Sequence, residues 1–322
     1  MCQYRGTKGI NELMNIIFWM DDPSEIQVTK DTSYALIHEC LNRQYQVFYA
    51  SKQSFSIQIN QLHCSAYKFK PSLFGDPLLF DSSPILLTES DIDVCWIRCD
   101  PPFDGDYLNH MWMFQLFASD ILFMNHPTGI YSTNEKMIIH RFSDFIPKTF
   151  VSKSKSAIHD FSTEFDSIIL KPLDGYGGSG IFKFKPNDSN IDPAIEQLTS
   201  NGRDFIIAQQ GLDHSKGDKR ILLLNGEPLG AVLRQSNESH RNNFMAGGQA
   251  IQTDITDSDM SIVNSIRSYL VEHGLYFVGI DILDGKLTEI NVTSPTCLQE
   301  MNRLNNVDLH KLVINFMEEK NA

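Results

Sequence analysis

From Met14 the chain sets short apolar runs between longer mixed segments, the pattern of an α/β unit. MNIIFWM is a short apolar run suited to a buried strand. DTSYALIHECLNRQ then reads as a helix with Asp31 as its N-cap, and YQVFYA as the next strand. Residues 60 to 92 are mixed and polar with scattered prolines, and give no order of elements. DVCWIR reads as another buried strand. It ends in RCDPPFD, where two prolines forbid further pairing and force an extended loop. A loop leaving a strand end in an open α/β sheet is the usual place for ligand contacts.

A second region opens with STNEKMIIHRF, in which Ser132 and Glu135 have capping-box spacing and predict a helix. KTFV and SIILKP read as strands either side of the helix SKSAIHDFSTEF. Four glycines follow, then IFKFK, which alternates like a half-exposed strand. A third region holds two hairpin signals, LLLNGEPL and IDILDGKLTEI. Between them lies the helix TDSDMSIVNSIRSYLVEHG, capped at Thr256 and stopped by Gly274; NVDLHKLVINFMEE is the final helix.

Composition narrows the class. A length of 322 residues suggests two or three domains, and 42% hydrophobic content suffices for real cores. Apolar runs such as Met14 to Met20 fall short of a membrane span. Residues 1–13 lack the apolar centre of a signal peptide and are set outside the fold, as an extension or a mis-called start. Cys2, Cys40, Cys64, Cys95, Cys99 and Cys297 form no CxxC pair, which argues against zinc and disulfides and for a reducing cytoplasm. A net charge of -13 repels nucleic acid, so an anionic ligand must meet a local cluster of positive groups.

Gly175, Gly177 and Gly180 satisfy GxGxxG, with Gly178 between them, but a strand follows rather than the helix that a dinucleotide fingerprint needs. The remaining geometry is a strand, glycine loop, strand flap. Its N–H groups can approach phosphate oxygens, with Lys171 on the preceding strand adding a charge. The other reading is a loose hairpin whose glycines supply φ > 0.

Glu289 and Asn291 are two apart on a strand and share a face. A two-residue Asp284-Gly285 turn would point Asp281 away from them. A three-residue loop, Leu283 to Gly285 with a G1 bulge, brings Asp281 to their face and is the loop predicted. Two carboxylates and an amide oxygen suit Mg²⁺; a solvated sheet face is the alternative. A similar loop at Leu224 to Gly226 puts Arg220 and Arg234 on one face, fit for a carboxylate or a transferring phosphoryl group, or simply exposed. Lys136 draws interest from the company of Lys171. Residues 234 to 250 form a long polar loop that reads as a lid carrying His240 and Arg241, or as a solvated loop, and Cys297 as a buried structural thiol.

Taken together, MDDPSEIQVTKDTSYAL, IRCDPPFD, STNEKM, IILKPLDGYGGSGIF, GDKRILLLNGEP, RNNFMAGG and VGIDILDGKLTEINVTSPTC resemble the bacterial glutathione synthetase family of the ATP-grasp superfamily, from about Met14 to the final helix. The resemblance implies an α/β and α+β protein. A Rossmann-like substrate domain would span 14–131, an ATP-grasp small lobe with the glycine loop 132–210, and a large lobe with lid and metal site 211–322. It implies ATP held by Lys136, Lys171, Gly175, Gly177, Gly178, Gly180, Gln209 and Leu212, the last two from the segment AQQGL. Asp281, Glu289 and Asn291 would hold Mg²⁺, as two ions or with Mn²⁺ in its place. Arg98, Asp100, Arg234, Arg241, Gly247 and Gly248 would bind substrate, and Lys171, Arg220 and Arg234 would act in catalysis. The implied reaction joins γ-glutamylcysteine to glycine through an acyl phosphate, in a homo-oligomer with neither nucleic-acid nor membrane partners. Rivals are another ATP-grasp carboxylate–amine ligase and a catalytically silent nucleotide sensor. Cys99 stands where the family leads one to expect a basic residue, and residues 235–240 hold less glycine than such a lid should.

Overall fold

A computed structural model describes residues 13–175, 177, 180–185, 188–235 and 249–322. Its first sheet contains β1 (Asn15–Trp19), β2 (Gln46–Ala50), β3 (Phe55–Gln58), β4 (Gln61–Lys70), β5 (Leu79–Phe80), β6 (Ile85–Thr88), β7 (Val94–Ile97) and β8 (Leu122–Met124). Strands β2, β1, β7 and β8 run parallel, and β3 to β6 extend the sheet antiparallel. The stretch 60 to 92, where the sequence suggests no order, therefore holds the three strands β4, β5 and β6. β4 does alternate, with Leu62, Cys64 and Ala66 turned inward, but β5 and β6 are short, and β6 exposes the apolar Ile85 and Leu86, so no periodicity marks them. β1 is buried on both faces, which is why its sequence is uniformly apolar. Ile16 and Phe18 pack toward α1 (Thr32–Asn42), and Ile17 and Trp19 toward α2 (Gly105–Gln115).

The second sheet has the order β11 (Phe182–Phe184), β10 (Ile168–Pro172), β12 (Ile206–Gln210), β9 (Thr149–Ser152), backed by α4 (Lys155–Ser162) and α5 (Ile191–Leu198). The third has the order β15 (Gln249–Gln252), β14 (Glu227–Gln235), β13 (Asp218–Leu224), β16 (Phe277–Leu283), β17 (Lys286–Asn291). Helices α6 (Asp257–Glu272), α7 (Leu298–Asn305) and α8 (Leu309–Asn321) complete that lobe, and α3 (Pro127–Ser132) leads toward it. Thr256 caps α6 in a capping box with Asp259, and Gly274 takes φ 63° after its end, as expected. No helix among the described residues is long and apolar enough to cross a membrane.

The cores divide the molecule unevenly. Two large apolar clusters each mix residues of the first and third sheets, such as Ile17 with Ile280 and Phe18 with Leu222. The second sheet has its own cluster, built from Ile158, Leu170, Ile195 and Ala208. Asn125 fastens the first and third sheets together, donating to the carbonyls of Phe277 and Val292 and accepting from the Phe277 N–H.

Two expectations are corrected. STNEKM does not begin a helix: Ser132 ends α3, and its hydroxyl donates back to Thr128. Asn134 accepts from the N–H groups of Lys136 and Met137 and closes a turn instead, before a 3₁₀ segment at Ile138–Phe142. Glu135 is drawn away to accept from the N–H groups of Val292 and Thr293 and from the Thr293 hydroxyl.

The hairpin loops are also shorter than expected. Asn225-Gly226 and Asp284-Gly285 are two-residue turns with positive φ at all four positions. The side chains nevertheless share the expected faces, because each hairpin carries a bulge within its strands. Pairing passes from Ile282 opposite Leu287 to Asp281 opposite Glu289, leaving Thr288 as the extra residue, its hydroxyl donating to the Asp281 carbonyl. In the other hairpin Leu229 is extra, next to Pro228, which has no N–H to give the ladder.

Candidate active site

A cavity of about 520 Å³ opens between the second and third sheets and runs to the wall formed by residues 25–31 and 100–101. On β10, Ile168 and Leu170 enter the small core, so the alternation turns Ile169 and Lys171 to the cavity. Gln209, opposite Ile169 on β12, lines the same wall and donates to the Thr149 hydroxyl. Leu212 lies beyond β12 and outside the lining. Gly175 and Gly177 close over this end; Gly177 and Gly180 have φ of 60° and 70°, and a Cβ on Gly180 would sit 3.1 Å from the Pro172 ring. Gly178, Arg241, Gly247 and Gly248 fall outside the described residues, as do His240 and residues 1–12.

Lys136 and Lys171 both reach this cavity, facing the Asp281, Glu289 and Asn291 side of the third sheet. Lys136 Nζ lies 3.0 Å from Glu289 Oε1 and donates to the Gly175 carbonyl. Burial opposes its charge, but Glu289 and Glu135 outweigh that and raise its pKa. Lys171 is only 7% exposed, and burial pulls its pKa down to about 8 despite Glu289 nearby. Glu135, missed as a site residue, anchors its neighbour Lys136 to the end of β17. Burial and the charge of Glu289 raise its own pKa.

The arginines form a compact cluster with two carboxylates. Arg220 grips Asp281 with Nε at 2.5 Å and Nη2 at 2.8 Å, while Arg234 Nη2 lies 3.0 Å from Asp281 and 2.5 Å from Asp218. Burial works against the Asp281 charge, yet the two guanidiniums hold its carboxyl well below the usual range. Asp218 is pushed up to about 6, by burial and by the charge of Asp281 against the pull of Arg234. Asp218 Oδ1 and Arg234 Nε are buried without hydrogen-bond partners among the described residues. Asp218 was legible: it precedes Arg220 by two on one strand and so shares its face.

Among the described residues no three His, Cys, Asp or Glu side chains gather as a metal-holding group. The donor set is instead Asp281 and Glu289, cross-strand neighbours, with Asn291 on the face of Glu289. Asn291 donates its Nδ2 to the Gly279 carbonyl, which leaves its oxygen unengaged by that bond. Two carboxylates and an amide oxygen fit a hard divalent cation.

At the far end, Asp100 lines the cavity and accepts from the Ser294 hydroxyl. Arg98 lies behind it, 5% exposed, with Nε donating to Ser33 and Nη1 unpartnered among the described residues. Burial lowers its pKa against the charges of Asp31 and Asp100. Cys99 is fully buried in the core beside Trp19 and Tyr107, so its side chain contributes nothing to the lining. Cys297 does line the cavity, with φ 87°, but burial raises its thiol pKa and keeps it protonated, in keeping with a structural role.

The family model for the prokaryotic glutathione synthetase N-terminal domain matches residues 14–130, and that for the ATP-grasp domain of the same family matches residues 135–306. The chain is 35% identical over 306 residues to a glutathione synthetase of Shewanella oneidensis, covering 94% of this chain and 97% of that protein. It is 34% identical over 312 residues to that of Agrobacterium fabrum, covering 96% and 98%. Among solved structures, a D-cycloserine synthetase superposes with a TM-score of 0.67 at 13% identity, covering 94% of this chain and 99% of that one. The D-alanyl-alanine synthetase A of Vibrio cholerae gives 0.62 at 14%, covering 97% and 99%. At such identities these two structures speak for the fold alone.

Proposed function

Since the chain belongs to the prokaryotic glutathione synthetase family and is an ATP-dependent carboxylate–amine ligase, we propose how its cavity joins γ-glutamylcysteine to glycine. ATP lies under the glycine loop against Ile169, Ile181 and Gln209, and the dipeptide lies toward Asp100, behind which Arg98 is buried. A carboxylate is a poor electrophile. The cysteinyl carboxylate therefore attacks the γ-phosphoryl group, breaking its bond to ADP; the glycine amine then displaces phosphate from the acyl phosphate. Such a transfer needs positioning and charge neutralisation above all. Lys136 and Lys171 meet the phosphates, while Arg220 and Arg234 face the transferring group and the acid. Asp281, Glu289 and Asn291 would hold divalent cation, two Mg²⁺ ions or Mn²⁺, which when bound neutralises phosphate charge. Family membership also supports a homo-oligomer, which light scattering on the purified chain would test.

The observation that carries this reading is the meeting of Lys136 and Lys171 with Asp281 and Glu289 in one cavity. The test is phosphate release from ATP with both substrates, then with each omitted. Release that ignores γ-glutamylcysteine would sink the assignment of the acid. Glu289→Ala should lower kcat by about 100-fold or more with its melting curve little changed; near-normal turnover would return Glu289 to an ordinary solvated carboxylate.

A further inference from the structure

The two carboxylates of the Asp281–Glu289–Asn291 face are already matched by cations of the chain itself. Asp281 is gripped by Arg220 at 2.5 and 2.8 Å and by Arg234 at 3.0 Å, and Glu289 by Lys136 at 3.0 Å. These contacts differ in kind. The guanidiniums come from β13 and β14, strands of the same sheet as Asp281, so they move with it. Lys136 instead stands on the turn after α3, and its ammonium reaches two ways: to Glu289 on the third sheet and, as a donor, to the Gly175 carbonyl in the glycine loop of the second. Its backbone is held on both sides as well. Asn134 accepts the Lys136 N–H and donates to the Leu173 carbonyl, while Glu135 is tied to the end of β17. With its Cα fixed in this way, the four-carbon stem of Lys136 can pass the ammonium from one anion to another without moving the chain.

A divalent cation that approaches Glu289 alone must compete with an ammonium already seated on its ligand. Nucleotide phosphate changes that balance, because it offers the ammonium a second anion and leaves Glu289 free. We propose that Lys136 is a placeholder for the cation: it neutralises Glu289 until phosphate draws it away, so that nucleotide and divalent cation bind as a coupled pair and the bare cation binds weakly. The exchange keeps each carboxylate matched by a positive charge before and after. That matters beside a lysine only 6% exposed, where water gives an unpaired charge little support. Linkage makes the effect reciprocal, so the cation tightens nucleotide binding by the same factor. The inference rests on the function proposed above for the roles of Lys136 and Glu289, and is independent of which acid is joined.

The experiment titrates Mn²⁺ calorimetrically into nucleotide-free protein, intact and as Lys136→Met, Lys136→Gln and Lys171→Met. Both Lys136 variants should bind Mn²⁺ about 10- to 100-fold more tightly than the intact protein, the usual range of coupling between two sites. Adding Glu289→Ala to either should abolish the gain. Lys171→Met removes another cation from the same cavity and should gain much less. Lys136 variants that bind Mn²⁺ no more tightly than the intact protein, or not measurably, overturn the proposal. So does an equal gain in Lys171→Met, which would reveal a diffuse field in place of a contact, or a gain that survives Glu289→Ala. Lys136→Gln keeps a donor for the Gly175 carbonyl and decides the matter if Lys136→Met does not fold. The underlying reading fails differently: normal turnover by Glu289→Ala alone removes the metal face and this inference with it, whereas slow turnover by Glu289→Ala with no gain in the Lys136 variants removes the inference alone.

Discussion

Lys171 is a cation placed where water cannot support it. Its ordinary pKa of 10.5 falls to about 8 because the ammonium is buried, whereas Lys136 beside Glu289 is shifted upward. The free enzyme therefore loses the Lys171 charge as pH rises through 8. We expect kcat/KM for ATP to fall about tenfold per pH unit above that point, because this ratio reports the free enzyme. Bound phosphate restores the proton, so the corresponding limb in kcat should lie at higher pH; a flat kcat/KM profile to pH 9.5 would contradict the assignment. Stability runs the other way. The cost of burying the charge is present below pH 8 and is relieved between 8 and 10.5, where the unfolded chain still holds the proton and the folded one does not. Lys171→Met should thus stabilise the ligand-free protein by about 3 kcal/mol near neutral pH, measured by denaturant unfolding, while abolishing turnover.

Among the elements, the two hairpins of the third sheet carry the Asp281–Glu289–Asn291 face and the arginine pair, and their turns bear unequal loads. Gly285 has φ 72° with open space where a Cβ would go, while at Gly226, with φ 78°, a Cβ would meet Arg267 Cγ at 2.9 Å. Gly285→Ala should cost about 1 kcal/mol, the strain of a left-handed alanine, and Gly226→Ala more, since Arg267 must also move; equal losses in urea unfolding would refute the distinction. These hairpins also mark where sequence reading stops. The residue types and their period of two were legible, as were Asp31, Thr256 and β1. The bulges were not: a parity argument asks only that one residue be extra, and both a longer turn and a bulge satisfy it. Pro228, unable to donate to the ladder, was the local sign for one of them. The helix expected from STNEKM failed for a non-local reason, because Glu135 finds better donors on Val292 and Thr293 than on its own turn. The pairing of Lys136 with Glu289 carried no signal in its own neighbourhood; only the fold brings the two together.

At the scale of the molecule, the shared cores make the first and third sheets one body, with the second sheet attached through its own smaller core. On the function proposed, nucleotide contacts come from both, so ATP analogue and Mg²⁺ should slow amide exchange most in β10 and β12, with the first sheet nearly unchanged. Uniform slowing across all three sheets would argue against this division. The hydrogen bonds from α7 to residues 28–32 put the far wall of the cavity, at residues 25–31, on the same body as Asp281 and Glu289. On the function proposed we expect turnover to have a single moving part, the second sheet, like a vice with one fixed jaw. On that reading we expect changes in the connections 146–148 and 211–217 to retune how fast that jaw travels and changes in the fixed half to retune which acid is gripped, neither traded against the other.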